Sequence, residues 1–158
     1  MNIFALDADV VKCAQYHLDK HCVKMILEST QLLNNALTIH NFNYVPIYKL
    51  THLKHPISIW TALSKENFDW LNNLALALCE EYTYRYNKKH KCQEYIEYFK
   101  TSTHCLEIPS HGLMPFAKCM PDQYKVEDPI ESYRNYYRGD KAYIAKWTNR
   151  PTPEWWQI

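Results

Sequence analysis

The chain has 158 residues, 47% of them hydrophobic and 22% charged, with a formal charge of +1. That is enough chain to bury one core and too little for two domains. Only two glycines are present, which argues against phosphate-cradling loops of the Walker A or dinucleotide type; the near-zero charge excludes a global field that would draw the protein onto nucleic acid, so any such binding must come from a local patch.

Residues 2–6 are short and apolar and read as a small strand or an extended lead-in, after which Asp7 or Asp9 supplies an N-cap. From Val10 to about Thr38 no proline or glycine intervenes, and apolar residues recur in steps of three and four. The pattern predicts one long helix, or two with a bend near Asp19. A polar and aromatic loop over 41–54 follows, and His55-Pro56 begins a second helical stretch that runs to about Tyr86 with an interruption near Ser64. A shorter helix covers Lys91 to Phe99. Residues 101–128, with Pro109, Pro115 and Pro121, read as an irregular segment wrapped over the helices. Asp128-Pro129 opens a further helix ended by Gly139, Asp140 caps a last one through Trp147, and the tail from Arg150 is extended and packed down. The expected fold is all-α: a compact single-domain bundle of two long and two or three short helices with an irregular proline-containing segment.

The six cysteines are scattered without a CxxC pair. No basic region followed by an apolar run opens the chain, and no stretch of about 18 apolar residues occurs. Free buried thiols, a cytoplasmic location and no membrane partner are therefore expected.

The first long helix carries an embedded polar stripe. On an ideal helix at about 100° per residue, His17, His21, Lys24, Glu28 and Gln31 fall within an arc of about 80°. Apolar residues border it on both sides: Leu18, Cys22, Met25 and Leu32 on one, Leu27, Tyr16 and Val23 on the other. A solvated face would widen into more polar residues, so the borders point to a cleft in which carboxylate, ammonium and imidazoles perturb one another. The plain alternative is a surface ion pair between Lys24 and Glu28, worth a few tenths of a kcal/mol, with His17 and His21 at the core boundary. His17 and His21 are also spaced to share a metal ion, with Glu28, His55 or Asp69 as a third ligand. However, Leu18 stands where a zinc-protease motif has its glutamate, so no metal is assigned.

The C-terminal third interleaves cations with flat rings, Arg134, Arg138, Lys141, Lys146 and Arg150 among Tyr133, Tyr136, Tyr137, Tyr143 and the tryptophans. This composition suits phosphate contact with base stacking, and Arg134 with Arg138, one turn apart, form a candidate phosphate clamp. The cations near Lys88, Lys89 and His90 end the second long helix, where the macrodipole alone explains them.

The stretches AQYHLDKHCVKMILESTQLL, HPISIW, ALCEEYTYRY and ESYRNYYRGDKAYIAKW resemble a recurrent short uncharacterised protein of tailed phages and large DNA viruses. More faintly, the chain resembles the pyrimidine-dimer DNA glycosylases of phages, small all-helical enzymes with an early histidine-bearing helix and an aromatic C-terminal end. That resemblance implies cleavage of a glycosidic bond at damaged DNA through an imine, in the cytoplasm of an infected host cell. In that family the amine of the residue after the initiator Met is the nucleophile; here that residue is Asn2, next to which Met removal is inefficient. The glutamate nearest the family's catalytic carboxylate is Glu28. A cleft lysine, Lys24, could replace the terminal amine if its pKa were lowered by desolvation.

The expected catalytic residues are thus Lys24, Glu28 and His21. His17, Lys20, Gln31, Arg134, Arg138 and Tyr137 are expected to bind substrate, with nucleotide or DNA as partner and no cofactor. The same residues serve a second hypothesis, a protein that sequesters a small nucleotide signal, and a third, a metal-dependent nucleotide hydrolase. The abundance of Tyr and Trp also suits a homo-oligomer interface.

Overall fold

A computed structural model describes residues 1–40, 43–102 and 107–157; Asn41, Cys105 and Ile158 lie outside them. Six α-helices and no strand occur among the described residues: α1 (Val10–Tyr16), α2 (Asp19–His40), α3 (Pro56–Leu63), α4 (Lys65–Tyr86), α5 (Gln93–Ser102) and α6 (Pro129–Arg138). The all-α expectation holds, with two long helices and four short ones. Residues 2–6 form no strand; they are an extended segment whose Ile3, Phe4, Ala5 and Leu6 are buried.

Local chemistry sets the boundaries. Asp9 caps α1 by accepting from the Val11 and Lys12 N–H groups, Asp128 caps α6 at Ile130 N, and proline opens both α3 and α6. Ser64, extended at φ −141° and ψ 142°, ends α3 and caps α4 with one side chain. The last expected helix is only a 3-10 turn, Ala142–Ile144. Asp140 does not cap it, because its carboxylate accepts from Tyr124 Oη at 2.7 Å. Gly139 lies so close under the Tyr124 ring that a Cβ there would collide with it.

The long helices α2 and α4 pack together at the centre, with α1 and α3 against them and α5 against α4. The first long stretch is broken at His17, whose backbone is extended (φ −63°, ψ 127°), so α1 and α2 are separate helices. Arg85 of α4, its side chain fully buried, holds that break. Its Nε donates to Glu81 Oε1 (2.7 Å), Nη1 to His17 O (2.8 Å) and Asp19 Oδ1 (3.0 Å), and Nη2 to Gln15 O (3.0 Å). Glu81 also receives Arg150 from the C-terminal tail at 3.0 Å. Each of these charges thus has a partner and each Arg85 nitrogen at least one acceptor, the condition under which buried ions are tolerated. Cys13, Cys22, Cys79 and Cys92 are buried free thiols, and Cys119 is a partly buried one.

Candidate functional site

His21, Lys24, Glu28 and Gln31 lie on α2, but His17 does not, and the chain itself covers the start of the stripe. Residues 2–6 lie along α2, and the Phe4 ring stacks on the His21 imidazole with centroids 4.3 Å apart. His21 Nδ1 is 2.8 Å from Tyr137 Oη, and Tyr137 is fully buried. Burial, reinforced by the charges of His17, Lys141 and Lys24, pushes the His21 pKa down to about 3. His17 is not on α2 at all. Its Nδ1 donates to Cys13 O at 2.7 Å, its Nε2 is buried without a partner, and desolvation lowers its pKa to about 4. His17, His21 and Tyr137 therefore form a neutral, internal group packed against Phe4, out of a ligand's reach in this conformation.

The second half of the stripe is open. Lys24 keeps 68% of its side chain exposed, so the desolvation that would prepare it as a nucleophile is not there. Its Nζ lies 3.2 Å from Glu28 Oε1, while the other Glu28 oxygen accepts from the main-chain nitrogen of Asn2 at 2.8 Å; the carboxylate side chain is 13% exposed. Asn2 is pinned in turn, its Nδ2 donating to Cys119 O at 2.8 Å and its Oδ1 accepting from Ile3 N at 2.9 Å. His55 stands nearby, capping α3 with Nδ1. Its pKa is lowered first by burial, then by the N-terminal ammonium and His52, with Glu28 acting in the opposite direction. Gln31 is half-buried one turn beyond Glu28. Glu28 is thus a largely buried carboxylate held between the Lys24 ammonium and the Asn2 main-chain N–H, an arrangement able to stabilise a developing cation.

The arginine pair is elsewhere. Arg134 donates to Leu6 O (2.9 Å) and approaches Asp7 and Glu131, with its guanidinium over the Trp155 and Tyr16 rings. Arg138 bonds Trp155 O (3.0 Å), Asn135 Oδ1 (2.6 Å) and Glu131. Both hold the tail onto α6 and the far end of the 2–6 segment, and the structure does not bring them to Lys24 and Glu28. Lys20 is exposed.

No family model matches the chain, and no curated protein or solved structure shows significant similarity to it. What the site does is accordingly argued from its chemistry. Among the described residues no three His, Cys, Asp or Glu side chains converge as metal ligands.

A feature missed at sequence level adjoins the open half. A groove of about 700 Å³ runs between α2 and the α4–α5 connection, walled by Lys24, Lys88, Lys89, His90 and Lys91. Its apolar floor is Val23 and Leu27, both exposed, with Tyr48 and Tyr82 at the sides. Among the described residues no carboxylate lines it. The signal was present in the sequence as the run Lys88-Lys89-His90-Lys91, but a dipole at a helix end explained it away. What places those cations is Asn87, a left-handed cap (φ 51°, ψ 41°), together with Thr83 Oγ1 donating to Lys88 O at 3.0 Å.

Proposed function

We propose that this protein acts on nucleic acid as a glycosylase/lyase-type enzyme, with Glu28 as the acid/base group and Lys24 as the amine. The observation that carries the reading is the Glu28 carboxylate held between the Lys24 ammonium at 3.2 Å and the Asn2 nitrogen at 2.8 Å, on the edge of a lysine-walled groove. Lys24 Nζ attacks C1′ of a baseless sugar in its aldehyde form. Glu28 delivers the proton that lets the C1′ oxygen leave as water, and an imine forms. Glu28, a carboxylate again after that step, takes a proton from C2′, and the electrons of that C–H bond move through the imine system to expel the 3′ phosphate and cut the strand. At a damaged nucleotide still carrying its base, the same attack breaks the glycosidic bond while Glu28 stabilises positive charge on the sugar. Lys24 is solvated, so its activation rests on proton exchange with Glu28. The likeness of the chain's motifs to phage and large-virus proteins is the ground for reading it as viral.

Borohydride reduction of the protein with an abasic-site oligonucleotide tests this. The expected result is a covalent adduct mapping to Lys24 and lost in Lys24→Ala and Glu28→Gln. An adduct mapping to the amine at the start of the chain instead would remove Lys24 from the role. Absence of any adduct, or an undiminished one with Glu28→Gln, would end the reading.

A further inference from the structure

The groove beside Glu28 has a use of its own. Its main chamber shares Val23, Tyr82 and Lys88 with a smaller chamber of about 230 Å³ that reaches Tyr86. The two adjoin as one open depression rather than a closed cavity. Lys24 lines it and contacts Glu28, so its near end lies one side chain away from the carboxylate. Lys88, Lys89 and Lys91 are exposed, and among the described residues no carboxylate pairs with any of them. The C-terminal end of α4 contributes roughly half a negative charge at this spot, which four lysines far exceed. His90 does not add to the charge near neutrality, since burial lowers its pKa; its Nδ1 accepts from Cys92 N at 3.1 Å and its ring meets Tyr82 edge-on at 5.2 Å. Between the cations lie flat and aliphatic surfaces, Tyr82, Tyr48 and Leu27.

Cations lining an apolar floor with aromatic sides match a chain of phosphates with bases turned inward. A duplex would need a broad basic face, and a net charge of +1 does not provide one. A single nucleotide would leave much of a depression of about 700 Å³ with an adjoining chamber of about 230 Å³ unfilled. We propose that this groove is a track for single-stranded nucleic acid, carrying the nucleotides next to the one that reacts at Glu28. The proposal rests on the reading of Glu28 given above.

The test is fluorescence anisotropy of a labelled ten-residue oligothymidylate with the full chain over a series of salt concentrations. The triple variant Lys88→Ala/Lys89→Ala/Lys91→Ala is expected to bind at least tenfold more weakly. Its salt slope should be shallower by about two, since each single-strand phosphate contact contributes about 0.7. Lys12→Ala, on another face, should bind like wild type, and circular dichroism melting checks that every variant folds. An unchanged affinity or slope in the triple variant overturns the track, as does tighter binding of ATP than of the oligonucleotide. The two readings fail separately. A triple variant that binds normally while Glu28→Gln cannot be trapped removes the track and leaves the chemistry. A weakened triple variant beside a Glu28→Gln protein that still traps removes the chemistry and leaves the track.

Discussion

The Phe4 ring lies nearly parallel on the His21 imidazole, its plane inclined by 23° at a centroid separation of 4.3 Å. This contact divides the polar stripe into a sealed part and an open part. Removing it should reunite them. Phe4→Ala is expected to cost about 3–5 kcal/mol, as large-to-small changes in well-packed cores do. It should also raise the His21 pKa toward its ordinary value as water enters. Urea unfolding measures the first, and titration of the imidazole proton resonances measures the second; a His21 that still titrates near 3 would show that Phe4 is not the seal.

Two buried neutral histidines make the fold sensitive to acid. His17 and His21 have native pKa values lowered to about 4 and about 3, from an ordinary 6.5. Below 6.5 the unfolded chain takes up protons that the native protein refuses, so stability is complete above that value and falls as pH drops toward 4. The loss is on the order of 3 kcal/mol per histidine at pH 4. Urea midpoints measured between pH 7.5 and 4 should fall steeply, and the slope should flatten by about half in His21→Gln.

Arg85 joins the α1–α2 break, α4 and, through Glu81, the tail. Arg85→Met leaves two buried main-chain carbonyls without their donor and Glu81 with only Arg150. A loss of about 3–5 kcal/mol is expected, and Arg85→Lys should recover little of it, because one ammonium cannot reach four acceptors in a planar fork. Chemical denaturation of the two variants decides; a wild-type midpoint for Arg85→Lys would mean the network is loose.

Arg138 belongs to the tail. Arg138→Ala removes bonds to Trp155 O, Asn135 and Glu131 and should loosen residues 150–157, visible as faster proteolysis there and altered tryptophan emission. Oligonucleotide affinity should stay within twofold of wild type. A large loss of affinity with an intact tail would restore Arg138 to a phosphate-binding role.

The helices were largely legible because their punctuation is local: Asp9, His55-Pro56, Ser64 and Asp128 act on N–H groups within three residues. Asp140 looked like the same signal and was not, since Tyr124 from sixteen positions earlier takes its carboxylate. The site was half legible for a similar reason. A helical wheel shows that Lys24, Glu28 and Gln31 share a face with His21, and the apolar borders show that something covers it. It cannot show that the cover is the chain's own residues 2–6, because that contact spans up to 26 positions. The arginine pair was misleading in the same way, as its acceptors are a main-chain carbonyl of Leu6 and another of Trp155. The lysine groove needed a left-handed Asn87, a conformation open to most asparagines and compulsory for none.

The seal over the stripe also sets how often its histidines could ever meet a ligand. Lifting residues 2–6 returns Ile3, Phe4 and Leu6 to water, each about 2 kcal/mol, so the opened form is populated at roughly one molecule in ten thousand or fewer. A ligand choosing that form would have its affinity cut by the same factor. On the proposed reading, ligand contact therefore falls to Lys24, Glu28 and the groove, while His17 and His21 serve the core.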